Sequence, residues 1–194
     1  MSGIKRPVAL IDMDGTLCDY HGAMKRDMLK ILSRHESLNE EFHKDKRTYI
    51  TNRMDMIKNQ PNWWLNLEKL ESGFEILEML HSLDFENHIL TKGPTKTTAA
   101  WSQKIEWCKE NIPEHIDHSV LMTEHQEGKG LVYGKVLVDD YPPYVLSWLK
   151  YRPRGLVILP NQRWNANFTH PNVIRFNDKN KVKIKEALQA ARHR

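Results

Sequence analysis

A chain of 194 residues, 40% hydrophobic and 28% charged, is long enough for one sizeable core and short for two independent domains. Its apolar segments are spread along the whole length and none reaches membrane-spanning length, which excludes both a disordered chain and a helical membrane protein. The net charge of +4 and pI near 9.0 favour anionic ligands such as phosphates but fall short of a nucleic-acid-binding stripe.

In chain order, the first apolar run, Val8 to Met13, reads as a strand running directly into the acidic turn DMDGTL. From about Tyr20 to Ser72 no credible strand follows. MKRDMLKILSRH sets Met24, Met28, Ile31 and Leu32 on one helical face, and a second helix is predicted through EEFHKDKRTYITNRMDMIKNQ before Pro61. Helices inserted here predict a small cap over residues 20–72, lying on a core built from 1–19 and 73–194. A helix with Phe74, Leu77 and Leu80 on one face precedes a strand at His88 to Thr91, and a helix using Trp101, Ile105 and Cys108 follows it. Further strands are predicted at Ser119 to Met122, Val136 to Val138, Leu156 to Leu159 and Val173 to Arg175. A terminal helix then carries Val182, Ile184, Leu188 and Ala191.

Continuous apolar strands alternating with helices predict an α/β fold, a doubly wound parallel sheet covered on both faces. Such sheets bind ligands at the carboxyl ends of their strands. Three polar clusters fall there: Asp12 and Asp14 after the first strand, Thr91-Lys92-Gly93 after the second, and Asp139-Asp140 after the fourth. Asp12 and Asp14, at i and i+2, project to the same side of a straight strand, and Gly15 lets the chain bend around whatever they hold. Few carboxylates, with room for water and phosphate oxygens, suit Mg²⁺. The two cysteines, Cys18 and Cys108, provide neither a disulfide framework nor zinc spacing, and MSGIKRPVAL lacks signal-peptide order, so a reducing, cytoplasmic setting is expected. The ten scattered histidines read as surface or core residues.

DMDGTL, the strand ending in Thr91, a downstream lysine and VLVDD together resemble the four motifs of the haloacid-dehalogenase-like phosphohydrolases, over roughly Pro7 to Leu159. The resemblance implies a Rossmann-like sheet, Mg²⁺ and phosphoryl transfer through a covalent aspartyl-phosphate. Asp12 would be the nucleophile, with one oxygen on the metal, and Asp14 the general acid and base, with its backbone carbonyl on the metal. Thr91 would bind the transferring phosphoryl group, helped by the amides of Lys92 and Gly93, and Asp139 and Asp140 would complete the metal site. For the lysine, Lys129 in a glycine-flanked loop is preferred over Lys135, which starts beside the amino end of the sheet.

The run DMDGTLCDY, a helical cap, PNWWLNLEKLESGFEILEMLHSL, LTKGP and GKGLVYGKVLVDDY is similar in particular to the 5'(3')-deoxyribonucleotidase family. That similarity places Tyr20, Trp63 and Trp64 around a nucleoside, one tryptophan stacking on the base and the other anchoring the cap. Lys92 departs from the small hydroxyl residue expected after Thr91. The activity implied is a Mg²⁺-dependent phosphatase acting on (deoxy)ribonucleoside monophosphates, a small-molecule substrate, with a homodimer left open. A nucleic-acid 3'-end phosphatase, a small-metabolite phosphatase and a non-catalytic binding module are the alternatives. The last is opposed by the joint presence of Asp12, Asp14, Thr91, Lys129 and Asp139.

Overall fold

The computed structural model of the chain describes residues 5–39, 42 and 47–193. Six strands, β1 (Val8–Ile11), β2 (Glu86–Lys92), β3 (His118–Thr123), β4 (Val136–Val138), β5 (Leu156–Leu159) and β6 (Val173–Arg175), form one parallel sheet in the order β3-β2-β1-β4-β5-β6. Because helices cover both faces, alternate residues of every central strand are buried on opposite sides. Ala9, Ile11, Ile89, Val136, Val138 and Ile158 pack with α3 (Glu71–Ser82), α4 (Ala99–Asn111) and α7 (Lys181–Arg192). Leu10, Leu90, Leu137, Val157 and Leu159 pack with Val145, Trp148 and Leu149 of α6 (Pro142–Tyr151). This two-sided burial is why the strands read as unbroken apolar runs.

Strand β1 is shorter than its apolar run. The Asp12 amide still donates to the Val138 carbonyl at 2.8 Å, but the Met13 carbonyl turns to accept from Leu17 and Cys18 at 2.8 and 2.9 Å, and the ladder ends. Between β1 and α3 lie α1 (Tyr20–Lys30) and α2 (Thr48–Lys58), which pack on each other, with Met24 and Met28 buried. Ile31, expected on the buried face, is exposed because α1 stops at Lys30. Residues 40, 41 and 43–46 of the second predicted cap helix lie outside the described residues. No helix among the described residues is long and apolar enough to cross a membrane.

Two other apolar stripes differ from the sequence reading. On α7 the buried residues are Ile184, Leu188 and Ala191, while Val182, two residues before Ile184 and so about 200° away around the helix, is exposed. On α4 the core face is Ala100, Lys104, Trp107 and Cys108, and Ile105 is at the surface. A lysine on the core stripe hid the true face.

Helix α3 is clamped to the loop after β1. Leu70 donates its amide to the Leu17 carbonyl at 2.9 Å, and Gly73 comes so close that a Cβ on it would lie 1.9 Å from the Thr16 carbonyl oxygen. That is far inside contact distance, so any side chain forces the helix away from the acidic loop. Gly73→Ala is expected to cost about 1–3 kcal/mol of stability, as overpacking of a tight contact does. An unchanged denaturant midpoint would contradict so close an approach.

Candidate active site

The winding of the sheet reverses between β1 and β4, and a crevice opens where their carboxyl ends part. The register pairs Ile11 with Val138, which sets Asp12 and Asp14 against Asp139 and Asp140 across that crevice. Gly15 turns the chain there with φ +80°, and a Cβ on it would stand 2.6 Å from Asp140 Oδ2. Only glycine satisfies both demands.

Three of the four carboxylates pair with two buried ammonium groups, and Asp140 is held by neutral donors. The buried Lys129 reaches Asp12 Oδ1 at 2.6 Å and Asp139 Oδ2 at 3.0 Å, and its ammonium lies 4.4 Å from the centre of the Tyr144 ring. It does so from α5 (Gln126–Leu131), a short helix where a free loop was expected, so its reach is fixed by the backbone. Asp139 Oδ1 accepts from the Tyr141 amide at 2.9 Å. Asp140 accepts from the Thr16 hydroxyl at 3.2 Å and the Trp164 indole at 2.8 Å. Asp12, Asp139 and Asp140 each bring an oxygen within 4.8 Å of the others. The Asp14 carboxylate stands outside this triad and is held instead by Lys104, at 2.5 Å.

The charge balance explains the protonation behaviour. The buried carboxylates of Asp12, Asp139 and Asp140 share the one buried charge of Lys129. Burial raises the Asp12 carboxyl to about 7 against the pull of Lys129, and Asp139 and Asp14 push the same way. Burial likewise raises Asp139, opposed by Lys129, and lifts Asp140 well above the usual carboxylate range, with Asp12 and Asp139 adding to the effect. For Lys129 burial works toward the neutral amine, but Asp12 and Asp139 prevail and hold it above the ordinary lysine range. Three hard oxygen donors whose ionisation outweighs the charge of Lys129 fit a divalent cation.

The other residues singled out in the sequence divide. Thr91 is buried at the end of β2, its hydroxyl 2.9 Å from the Lys104 ammonium. Lys92 lines the cavity in front of the carboxylates. Gly93 does not offer its amide to a ligand, because that N–H pairs with the Thr123 carbonyl of β3 at 2.9 Å. Lys135 bonds to the Arg192 carbonyl at 3.2 Å, away from the carboxylates.

The cavity itself has a volume of about 460 Å³. Tyr20, His21, Trp64, Tyr141, Tyr144 and Trp164 form much of its wall, with Asp12, Asp14, Lys129 and Asp140 at its floor. Trp64 stacks on Tyr20 with ring centres 5.4 Å apart, and its indole N–H donates to the Lys58 carbonyl at 3.1 Å. Trp63 does not line the cavity; its ring meets those of Tyr20 and Trp64 edge-on and its indole N–H donates to Asp27 at 2.9 Å. It is a packing residue of the cap helices.

Sequence reasoning missed Lys104, Trp164 and Gln162. Gln162 donates to the Gly15 carbonyl at 2.7 Å, and Asn165 donates to the carbonyls of Asp140 and Pro160 at 2.8 and 2.9 Å. These residues reach the crevice from the segment after β5, a distance in sequence that no local motif reports. Lys104 had one signal, a charge on a core stripe.

A family model described as 5' nucleotidase, deoxy (pyrimidine), cytosolic type C protein matches residues 6–184. No curated protein matches the sequence significantly. Among solved structures, a protein of Burkholderia xenovorans LB400 provisionally named a haloacid dehalogenase-like hydrolase is similar, with TM-score 0.59, 13% identity and coverage of 95% of this chain and 99% of that one. A haloacid-dehalogenase-family hydrolase of Deinococcus radiodurans R1, solved with bound phosphate and sodium, gives TM-score 0.55 at 12% identity, covering 94% and 96%. A hydrolase of the same superfamily from Ehrlichia chaffeensis gives 0.51 at 13%, covering 97% and 99%. At these identities the likeness establishes the fold.

A carboxyl group whose folded-state value is raised binds its proton more tightly folded than unfolded. For Asp12 that stabilisation is full below about 4 and lost as pH rises through about 7. A divalent cation would displace the proton and restore what is lost. The gain in melting temperature on adding Mg²⁺ should therefore be larger at pH 8 than at pH 5.5. Equal gains at both would show that the cation binds elsewhere.

Proposed function

The chain belongs to the 5' nucleotidase, deoxy (pyrimidine), cytosolic type C family, and on that premise we propose that it is a Mg²⁺-dependent phosphatase of (deoxy)ribonucleoside monophosphates that works through an aspartyl-phosphate. Its family and fold make it a haloacid-dehalogenase-like phosphohydrolase, a phosphoric monoester hydrolase. The single observation that carries the mechanism is the divergent engagement of two carboxylates two residues apart. Asp12 sits with Asp139 and Asp140, and Asp14 is turned to Lys104.

From that placement the steps follow. Asp12 attacks phosphorus, a P–O bond forms on its carboxylate, and the ester P–O bond breaks. Asp14 protonates the departing alkoxide, then takes a proton from the water that attacks the aspartyl-phosphate, releasing inorganic phosphate and regenerating Asp12. Lys129 offsets charge on the nucleophile and the transferring group, and Lys92, which lines the cavity, and the Thr91 hydroxyl behind it are the donors to phosphoryl oxygens in this reading. Mg²⁺ held by Asp12, Asp139, Asp140 and the Asp14 carbonyl would add neutralising charge and orientation. Tyr20 and Trp64 line the cavity with Tyr141, Tyr144 and Trp164, and stacking of a nucleobase on such an aromatic wall is worth about 1–3 kcal/mol. Residues 20–72 serve as the cap that brings Tyr20 and Trp64 over the crevice, with Trp63 as its internal packing.

A phosphate-release panel of nucleotides, sugar phosphates and 3'-phosphorylated oligonucleotides, with and without Mg²⁺, tests the reading. Asp12→Asn should abolish turnover in a folded protein; near-normal rates would rule out the covalent route. Trp64→Ala should raise the Michaelis constant for nucleotides about ten-fold or more and leave that for a small aryl phosphate nearly unchanged. Equal effects on both would reduce Trp64 to cap packing.

A further inference from the structure

Lys104 is a fully buried cation on the core stripe of α4, among Ala100, Trp107 and Cys108. Its ammonium makes three close contacts: Asp14 Oδ2 at 2.5 Å, Thr91 Oγ1 at 2.9 Å and the Lys92 carbonyl at 2.9 Å. It also lies 4.7 Å from the centre of the Trp64 ring. Thus one side chain joins the first acidic turn, the end of β2 and the aromatic wall.

A buried ion pair seldom stabilises a fold more than an apolar residue of similar size would, because two charges must first be stripped of water. An apolar residue at 104 would continue the stripe of α4. What the lysine supplies instead is a fixed direction for Asp14. A carboxylate two residues from Asp12 would otherwise be drawn to any cation held by Asp12, Asp139 and Asp140. It would then be spent as a ligand rather than kept for proton transfer.

We propose that Lys104 is the positioning residue for proton transfer in this reaction: it holds the Asp14 carboxylate off the metal and aimed at the leaving-group oxygen. The inference rests on the functional reading above, in which Asp14 is the general acid. It assigns to Lys104 a task separate from that of Lys129, which serves Asp12.

The test uses two leaving groups of nearly the same shape and different basicity. Phenolate needs a proton to depart far more than nitrophenolate does. The quantity is kcat/KM, which covers the steps up to cleavage of the ester bond. Lys104→Met should lower it for phenyl phosphate about 100-fold, within the range general acids contribute, and at least ten-fold less for p-nitrophenyl phosphate. Asp14→Asn should show the same selectivity, and the Asp14→Asn/Lys104→Met double variant should be no slower on phenyl phosphate than Asp14→Asn alone, since one function is removed twice. Lys104→Arg, which keeps the charge, should recover part of the selectivity. If Lys104→Met destabilises the fold, the double variant, which removes both charges, carries the comparison.

Equal losses on both esters for Lys104→Met, with selectivity retained by Asp14→Asn, would overturn this inference and leave the functional reading intact. An unselective Asp14→Asn would overturn both.

Discussion

Buried negative charge at the carboxyl ends of β1 and β4 is the constraint on which the rest of the structure depends. Asp12, Asp14, Asp139 and Asp140 come together because β1 and β4 are neighbours at the point where the sheet reverses its winding. Two buried lysines meet half of that charge. Desolvation raises the Asp12 carboxyl to about 7, so a proton and a cation compete for the same buried oxygens. Acid at the end of a buried strand is costly as structure and sensible as a binding site.

The two lysines engage different carboxylates. Lys129, fixed on α5, bridges Asp12 and Asp139 across the strand ends. Lys104, fixed on α4, donates to Asp14 and to Thr91, so the Asp14 carboxylate stands apart from the Asp12, Asp139 and Asp140 triad. Chemically similar residues two positions apart thus acquire different surroundings from different helices, one on each face of the sheet. Around them the segment after β5 acts as a brace. Gln162 holds the Gly15 carbonyl, Trp164 the Asp140 carboxylate and Asn165 the Asp140 carbonyl. Arg175 of β6 pins that segment from behind through Asn165, Ala166 and Phe168.

Much of this was legible in the sequence where the signal is local. Strands β4 and β5 occupy the residues their apolar runs indicated, because a strand buried on both faces has to be continuously apolar, and the half-buried edge strand β6 also keeps its expected bounds. DMDGTL and VLVDD marked the rim for the same reason: each follows such a strand directly. The α4 stripe was misread because its core face includes Lys104, and hydrophobic periodicity cannot tell a buried lysine from a solvated one. The expected Gly93 donor failed because strand pairing with Thr123 consumes that amide, a fact that depends on how far β3 extends.

The amino-acid sequence by itself determined the doubly wound parallel sheet, the end of that sheet where chemistry can occur and the carboxylates that stand there, since apolar runs and the charges that end them are properties of contiguous chain. Only the tertiary structure decided which carboxylate meets which lysine, which of two adjacent tryptophans faces the cavity, and which residues brace Asp140. Those outcomes depend on side chains tens of residues apart arriving within hydrogen-bonding distance. The packing of α4, α5 and the segment after β5 on the sheet sets those distances, and no stretch of sequence encodes them alone.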